Sequence, residues 1–240
     1  MYELDVVKDS FVGNVTVVIT AAGKGTRMNS DINKQYIKIA GMPVLARTID
    51  AFQQCVDIDD IIVVVNEEDI NFCRHRIVEK YNFSKVRSLV SGGAERQNSV
   101  YKGLRSVNET CKIVLIHDGA RPFVTNKNIL DCINSARAYG ACGIGVKLKD
   151  TVKISDENCF VAATPDRSSL WSIQTPQAFE YGIIMDAHEK AILSGYIGTD
   201  DMVLVERQGI PVKIVEGNYQ NIKITTPEDL AVGESIIANL

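Results

Sequence analysis

The sequence predicts an α/β fold, a mostly parallel sheet with helices on both faces and an inserted β-hairpin. Three observations carry this. Short β-branched apolar runs recur along the chain, helix-length segments with a 3.6-residue apolar period lie between them, and one segment breaks the alternation. Residues 15–20 (VTVVIT), 60–65 (DIIVVV) and 113–117 (IVLIH) read as buried strands. Leu45, Ile49 and Phe52 fall on one helix face, and Ile129, Ile133 and Ala136 do the same after Thr125, a candidate N-cap. Residues 151–155 and 159–163 read as two strands joined by Asp156-Glu157-Asn158, a hairpin arm at about 150–175. Near the end, Thr226-Pro227-Glu228-Asp229 is a helix start, with Thr at the N-cap, Pro at N1 and Asp at N3. No repeat or low-complexity linker divides the chain, so one domain over 15–240 is expected, with 1–14 as an N-terminal extension.

Composition excludes several classes. With 240 residues, 45% hydrophobic and 23% charged, the chain is neither collagenous nor disordered and can bury a sizeable core. Its 26 basic and 30 acidic residues give a net charge of −4, without the clustered basic excess of a nucleic-acid binder. No apolar run approaches the roughly 18 residues of a membrane span, so no membrane partner is expected. The polar, acidic start predicts no signal peptide. The six cysteines are scattered without a C-x-x-C pair and the three histidines lie far apart, so a zinc site or disulfide framework is not expected. Reduced, buried cysteines and a cytoplasmic location follow.

The strongest local signal is Ala21-Ala22-Gly23-Lys24-Gly25-Thr26-Arg27-Met28, directly after the first strand. Glycines let a backbone turn sharply and approach a ligand, and successive N–H groups in such a turn form an anion-binding concavity. Arg27 and Lys34 add charge suited to phosphates. The spacing does not fit a Walker A loop, and Met28 stands where a dinucleotide fingerprint needs its third glycine. A bare G-x-G merely turns many strands, but the adjoining Thr-Arg-Met and Lys34-Gln35-Tyr36 favour a phosphate loop.

Gly23-x-Gly25-Thr26-Arg27-Met28 with Lys34-Gln35 resembles the signature of sugar-phosphate nucleotidyltransferases. Later blocks narrow the resemblance: Gly92-Gly93-Ala94-Glu95-Arg96-Gln97-Asn98-Ser99-Val100, His117-Asp118-Gly119-Ala120-Arg121-Pro122, Asp150-Thr151, Asp166-Arg167, Leu170-Trp171, Gln174-Thr175-Pro176-Gln177, Thr199-Asp200-Asp201 and Asn221-Ile222-Lys223-Ile224-Thr225. In this order they resemble the 2-C-methyl-D-erythritol 4-phosphate cytidylyltransferases of non-mevalonate isoprenoid synthesis, from about residue 15 to the end. The resemblance implies a Rossmann-like nucleotidyltransferase domain. It also implies transfer of a cytidylyl group from CTP to a polyol phosphate, Mg²⁺ as cofactor, and a homodimer joined through the arm.

By the same resemblance, Lys34 and Lys223 contact the α-phosphate, while Arg27 and the loop Gly23, Gly25 and Thr26 hold the departing phosphates. Ala21, Ala22, Gly93, Ala94 and Ser99 read the cytosine, and Asp118 serves the ribose and the metal. Arg121, Thr151, Arg167, Thr199 and Lys223 take the acceptor, with the arm reaching a second subunit. Taken singly, each cation is by default a solvated surface charge, Asp118 a strand-end turn residue and Ser99 a helix residue bonding its own backbone. Lys24 and Lys38 have no support beyond that default, and His117 reads as a packed neighbour. The chemistry agrees with the paucity of histidines: a phosphate monoester, with its second pKa about 6, is already a nucleophilic dianion at neutral pH. Positioning and positive charge are then what the protein must supply. Two departures stand out. Asn33 replaces the family's usual proline, which predicts a less rigid loop, and Ala94 replaces an aspartate found in some members. A ribitol-5-phosphate cytidylyltransferase is the nearest rival, and a non-catalytic nucleotide-binding regulator the rival from another class.

Overall fold

The computed structural model describes residues 14–23 and 33–239. Apart from Asn14, the expected N-terminal extension lies outside the described residues, as do Gly25, Thr26 and Arg27. Strand β1 (Asn14–Thr20) shows why the hydrophobic runs are continuous. Val15, Val17 and Ile19 enter one apolar cluster, Val18 the opposite one, and each face is covered. The same holds for β6 (Cys111–Asp118), with Ile113 and Leu115 on one side and Val114 and Ile116 on the other.

After the short pair β2 (Lys38–Ile39) and β3 (Met42–Pro43) come α1 (Val44–Gln53), β4 (Asp60–Val65), α2 (Ile70–Cys73), β5 (Val86–Ser91) and α3 (Arg96–Leu104). Beyond β6 the order is α4 (Asn126–Tyr139), β7 (Ala141–Lys147), β8 (Ile154–Ser155), β9 (Val161–Ala163), β10 (Trp171–Glu180) and α5 (Tyr181–Leu193). The chain closes with α6 (Met202–Glu206), β11 (Lys213–Glu216) and α7 (Pro227–Ala238). Seven strands form one sheet in the order β11-β7-β10-β6-β1-β4-β5. Only β10 runs antiparallel to its neighbours, β6 and β7. Helices α1 and α4 pack on one face through Leu45, Ile49, Phe52, Ile129, Ile133 and Ala136, the residues whose spacing predicts those faces. Helices α3, α5 and α6 cover the other.

Both predicted helix starts are realised. Thr125 Oγ1 accepts from the Asn128 N–H, and Thr226 and Asp229 form a reciprocal capping box. The arm differs from the prediction. Its paired strands are shorter, and the second begins only at Val161 because the Asp156 side chain accepts from the N–H groups of both Asn158 and Phe160, and Cys159 takes a positive φ of 64°. The turn therefore extends to Cys159. Every paired arm residue is exposed, so the arm projects without a core of its own.

Candidate active site

The carboxyl ends of β1 and β6, where open α/β sheets place ligands, border a cavity. Thr20, Ala21, Ala22 and Gly23 form one wall, Gly93 to Arg96 and Ser99 a second, and Asp118, Ala120, Gln35 and Lys223 complete it. The first wall is pinned: the Ala21 N–H donates to the Val64 carbonyl at 2.7 Å, and Gln35 Nε2 to the Ala21 carbonyl at 2.8 Å. The second wall approaches so closely that a Cβ on Gly92 would lie 2.4 Å from the Ala22 Cβ, which only glycine avoids.

Ser99 holds that second wall. Its Oγ accepts from the Gly93 N–H at 3.0 Å and donates to the Glu95 carbonyl at 3.2 Å. Local backbone bonding is thus part of its role, and one acceptor lone pair remains.

Asp118, at the end of β6 and nearly buried, is the electrostatic centre. Lys223 Nζ lies 2.9 Å from its Oδ2, Arg121 Nε 3.4 Å from the same oxygen, and Arg96 Nε 3.4 Å from Oδ1. Burial pushes its carboxyl up, but Arg96, Lys223 and Arg121 overrule that and hold it well below the ordinary carboxylate range. Arg96 Nη1 also reaches the buried Asp201 at 2.7 Å. Three cations thus meet two carboxylates on one side of a cavity whose wall also carries Glu95, so positive charge is concentrated at Asp118 rather than spread over the lining.

His117 is fully buried. The Asp118 N–H donates to Thr175 Oγ1, which donates to His117 Nδ1, while His117 Nε2–H donates to the Arg121 carbonyl. These partners assign the neutral Nε2–H form. It packs and braces rather than ligates. Burial pushes its pKa down to about 4. Unfolded histidine titrates near 6.5, so the unfolded chain binds the extra proton first, and stability falls as pH drops from about 6.5 toward 4. This group alone is expected to cost roughly 2 kcal/mol between pH 7 and pH 5. Urea unfolding of the wild type and His117→Gln at both pH values checks it: the variant should lose less, and parallel losses would refute the assignment.

The structure brings Ala21, Ala22, Gly23, Gly93, Ala94, Ser99, Asp118 and Lys223 together. Lys34 opens the short 3₁₀ turn Lys34–Tyr36 that carries Gln35. Arg121 is committed to Asp118 and, through Nη1, to the Asn221 carbonyl at 2.9 Å. Thr151, Arg167 and Thr199 are exposed and do not line this cavity among the described residues; Arg167 Nη1 donates to the Lys149 carbonyl at 2.7 Å. Asn33 Nδ2 donates to Asp69 Oδ2 at 2.8 Å, while the loop 24–32, whose rigidity its replacement of proline concerns, lies outside the described residues. Arg96, Gln35 and Asp201 go beyond the sequence-based site residues. All three stand inside the quoted blocks, and only the fold shows which of their side chains face the cavity or its cations.

A model of the family "IspD: 2-C-methyl-D-erythritol 4-phosphate cytidylyltransferase" matches residues 15–239. The 2-C-methyl-D-erythritol 4-phosphate cytidylyltransferase of Caldanaerobacter subterraneus is 53% identical over 221 residues, covering 92% of this chain and 97% of its own. That of Geobacter metallireducens is 49% identical over 226 residues, covering 93% and 97%. The crystal structure of 4-diphosphocytidyl-2C-methyl-D-erythritol synthase from Anaerococcus prevotii superposes with a TM-score of 0.85 at 38% identity, covering 94% of this chain and 96% of that one. With a family match along nearly the whole chain and relatives about half identical over more than nine-tenths of it, this protein belongs to the 2-C-methyl-D-erythritol 4-phosphate cytidylyltransferase family.

Proposed function

We propose that this chain transfers the cytidylyl group of CTP to 2-C-methyl-D-erythritol 4-phosphate, in non-mevalonate isoprenoid synthesis. An acceptor phosphate oxygen bonds to the α-phosphorus, the α–β P–O bond breaks, and pyrophosphate leaves. The observation that carries this reading is the convergence of Lys223, Arg96 and Arg121 on Asp118 beside the strand-end cavity. The acceptor dianion needs no general base, so the work is to bring two polyanions together and stabilise charge at the α-phosphorus. Lys34 and Lys223 act there; Arg27 and residues 23–27 hold the leaving phosphates. Thr151, Arg167 and Thr199 belong to the acceptor side.

Mg²⁺ is commonly held by one or two carboxylates together with substrate phosphates. Asp118 beside a triphosphate fits that mode; among the described residues no group of three or more Asp, Glu, His or Cys forms a protein-only cage. When bound, the ion neutralises charge on the departing phosphates. Activity is expected to vanish in EDTA and return with added Mg²⁺, and undiminished turnover in chelator would remove the metal from the scheme.

The arm supports a homodimer, since Ile154, Phe160 and Val161 are 52%, 72% and 61% exposed on a projection with no core. A cytoplasmic location goes with six free cysteines, five of them buried, and no helix among the described residues is long and apolar enough to cross a membrane.

The test is pyrophosphate release with CTP and, in turn, 2-C-methyl-D-erythritol 4-phosphate and ribitol 5-phosphate. Release with the first and little with the second is expected. CTP should also be preferred over UTP by tenfold or more, because the spare acceptor of Ser99 suits the cytosine amine and not the uracil carbonyl. Equal turnover of both nucleotides would rule out base reading by this wall.

A further inference from the structure

Behind the cavity a chain of hydrogen-bonded polar groups runs into the core. Its far end is His188, fully buried on α5 and stacked on Tyr101 of α3, with ring centroids 6.2 Å apart. His188 Nε2 lies 3.2 Å from Asp201 Oδ1, and Asp201 is itself buried. A carboxylate only accepts, so Nε2 carries the proton. Nδ1 has no hydrogen-bond partner among the described residues. The other oxygen of Asp201 takes Arg96 Nη1 at 2.7 Å, and Arg96 Nε reaches Asp118 at 3.4 Å in the cavity. The backbone is fixed separately, because Gln177 Oε1 accepts from the N–H groups of Asp201 and Met202.

Arg96 is therefore divided between two carboxylates, tightly to the buried one and loosely to the one at the nucleotide. His188 shares the charge of Asp201. Without that N–H, the buried Asp201 carboxylate would have Arg96 as its sole side-chain partner among the described residues. An under-satisfied buried charge draws its remaining partner inward. The 3.4 Å contact to Asp118 is then the first to lengthen, and the charge beside the nucleotide moves.

We infer that His188 is a positioning residue for cytidylyl transfer: acting through Asp201, it holds the Arg96 guanidinium so that its outer edge meets Asp118 in the nucleotide cavity. The inference rests on the function proposed above. Wild-type turnover with CTP and the acceptor is therefore the first measurement, and its absence would overturn that function and this role together.

Given turnover, His188→Met and His188→Gln separate shape from the N–H, since both fill similar space and only glutamine donates. His188→Met is expected to lower kcat about tenfold, with a smaller change in KM for CTP, whereas His188→Gln stays within about threefold of wild type. In an Arg96→Ala background His188→Met should add nothing further, because the groups act in series. Loss of kcat in both variants alike, loss in neither, or multiplying losses in the Arg96→Ala background would each overturn the proposal. If His188→Met does not fold, ring ¹⁵N signals of wild-type histidines decide, with His188 assigned by its disappearance in His188→Gln. CTP binding should shift the His188 signal as Arg96 responds, and an unmoved signal would overturn the role.

Discussion

Lys223→Ala is expected to lower kcat by about 10²–10³ while changing KM for CTP only a few-fold, a loss of about 3–4 kcal/mol of transition-state stabilisation. The backbone around Lys223 is anchored independently of its amine. Buried Asn221 donates from Nδ2 to the Thr175 carbonyl at 2.9 Å and accepts on its own carbonyl from Arg121, while the Ile224 N–H donates to the Ala120 carbonyl at 2.8 Å. Removing the ammonium therefore leaves this segment in place, and the thermal midpoint should move by no more than a few degrees. Asp118 keeps Arg96 and Arg121 and stays ionised, so the lost quantity is one charge, 2.9 Å from that carboxylate at the cavity. A preorganised charge counts most where charge develops, which places the effect on kcat. A variant with raised KM and unchanged kcat would show that Lys223 only binds.

Much of this arrangement was legible in the residues, and the parts that were not have physical reasons. The strands at β1, β4 and β6 are continuous β-branched runs because both faces are covered, and their periodicity is unambiguous. Strand β10 hides. Its sequence WSIQTPQAFE carries a proline and three buried polar side chains inside a central strand, where proline is ordinarily excluded. The ladder to β7 is broken between Ile173 and Gln177, and the polar groups have tertiary partners: Gln174 bonds the Asn218 carbonyl, Thr175 the His117 ring, and Gln177 Asp200. Strand β7 hides for another reason. Gly143 and Gly145 weaken its pattern, yet a Cβ on Gly143 would sit 2.4 Å from Met202 Sδ. The cavity walls were readable as motif blocks. The cation cluster was not, because Arg96, Arg121, Asp201 and Lys223 are far apart in sequence and meet only when β6, α3, α6 and the segment before α7 converge.

Chains carrying Lys34→Ala and chains carrying Arg167→Ala are each expected to be nearly inactive, yet to recover roughly a quarter of wild-type activity when unfolded together and refolded. Arg167 follows an arm that leaves the domain, is exposed, and does not line the described cavity of its own chain; its guanidinium rests on the Lys149 carbonyl. Its planar fork suits bidentate capture of the acceptor phosphate, which a lysine cannot reproduce. We propose on these grounds that its target lies on a partner subunit. In a mixed dimer, one site then carries both lesions and the other neither. Random pairing makes about half of the dimers mixed, and each of these has one intact site of two, which gives the quarter. If Arg167 instead served its own chain, every site would carry one lesion and nothing would return. Subunit exchange must be verified by mass or a tag, because unmixed dimers imitate that second result. Verified heterodimers without recovered activity would reject the shared site and leave cytidylyl transfer itself untouched.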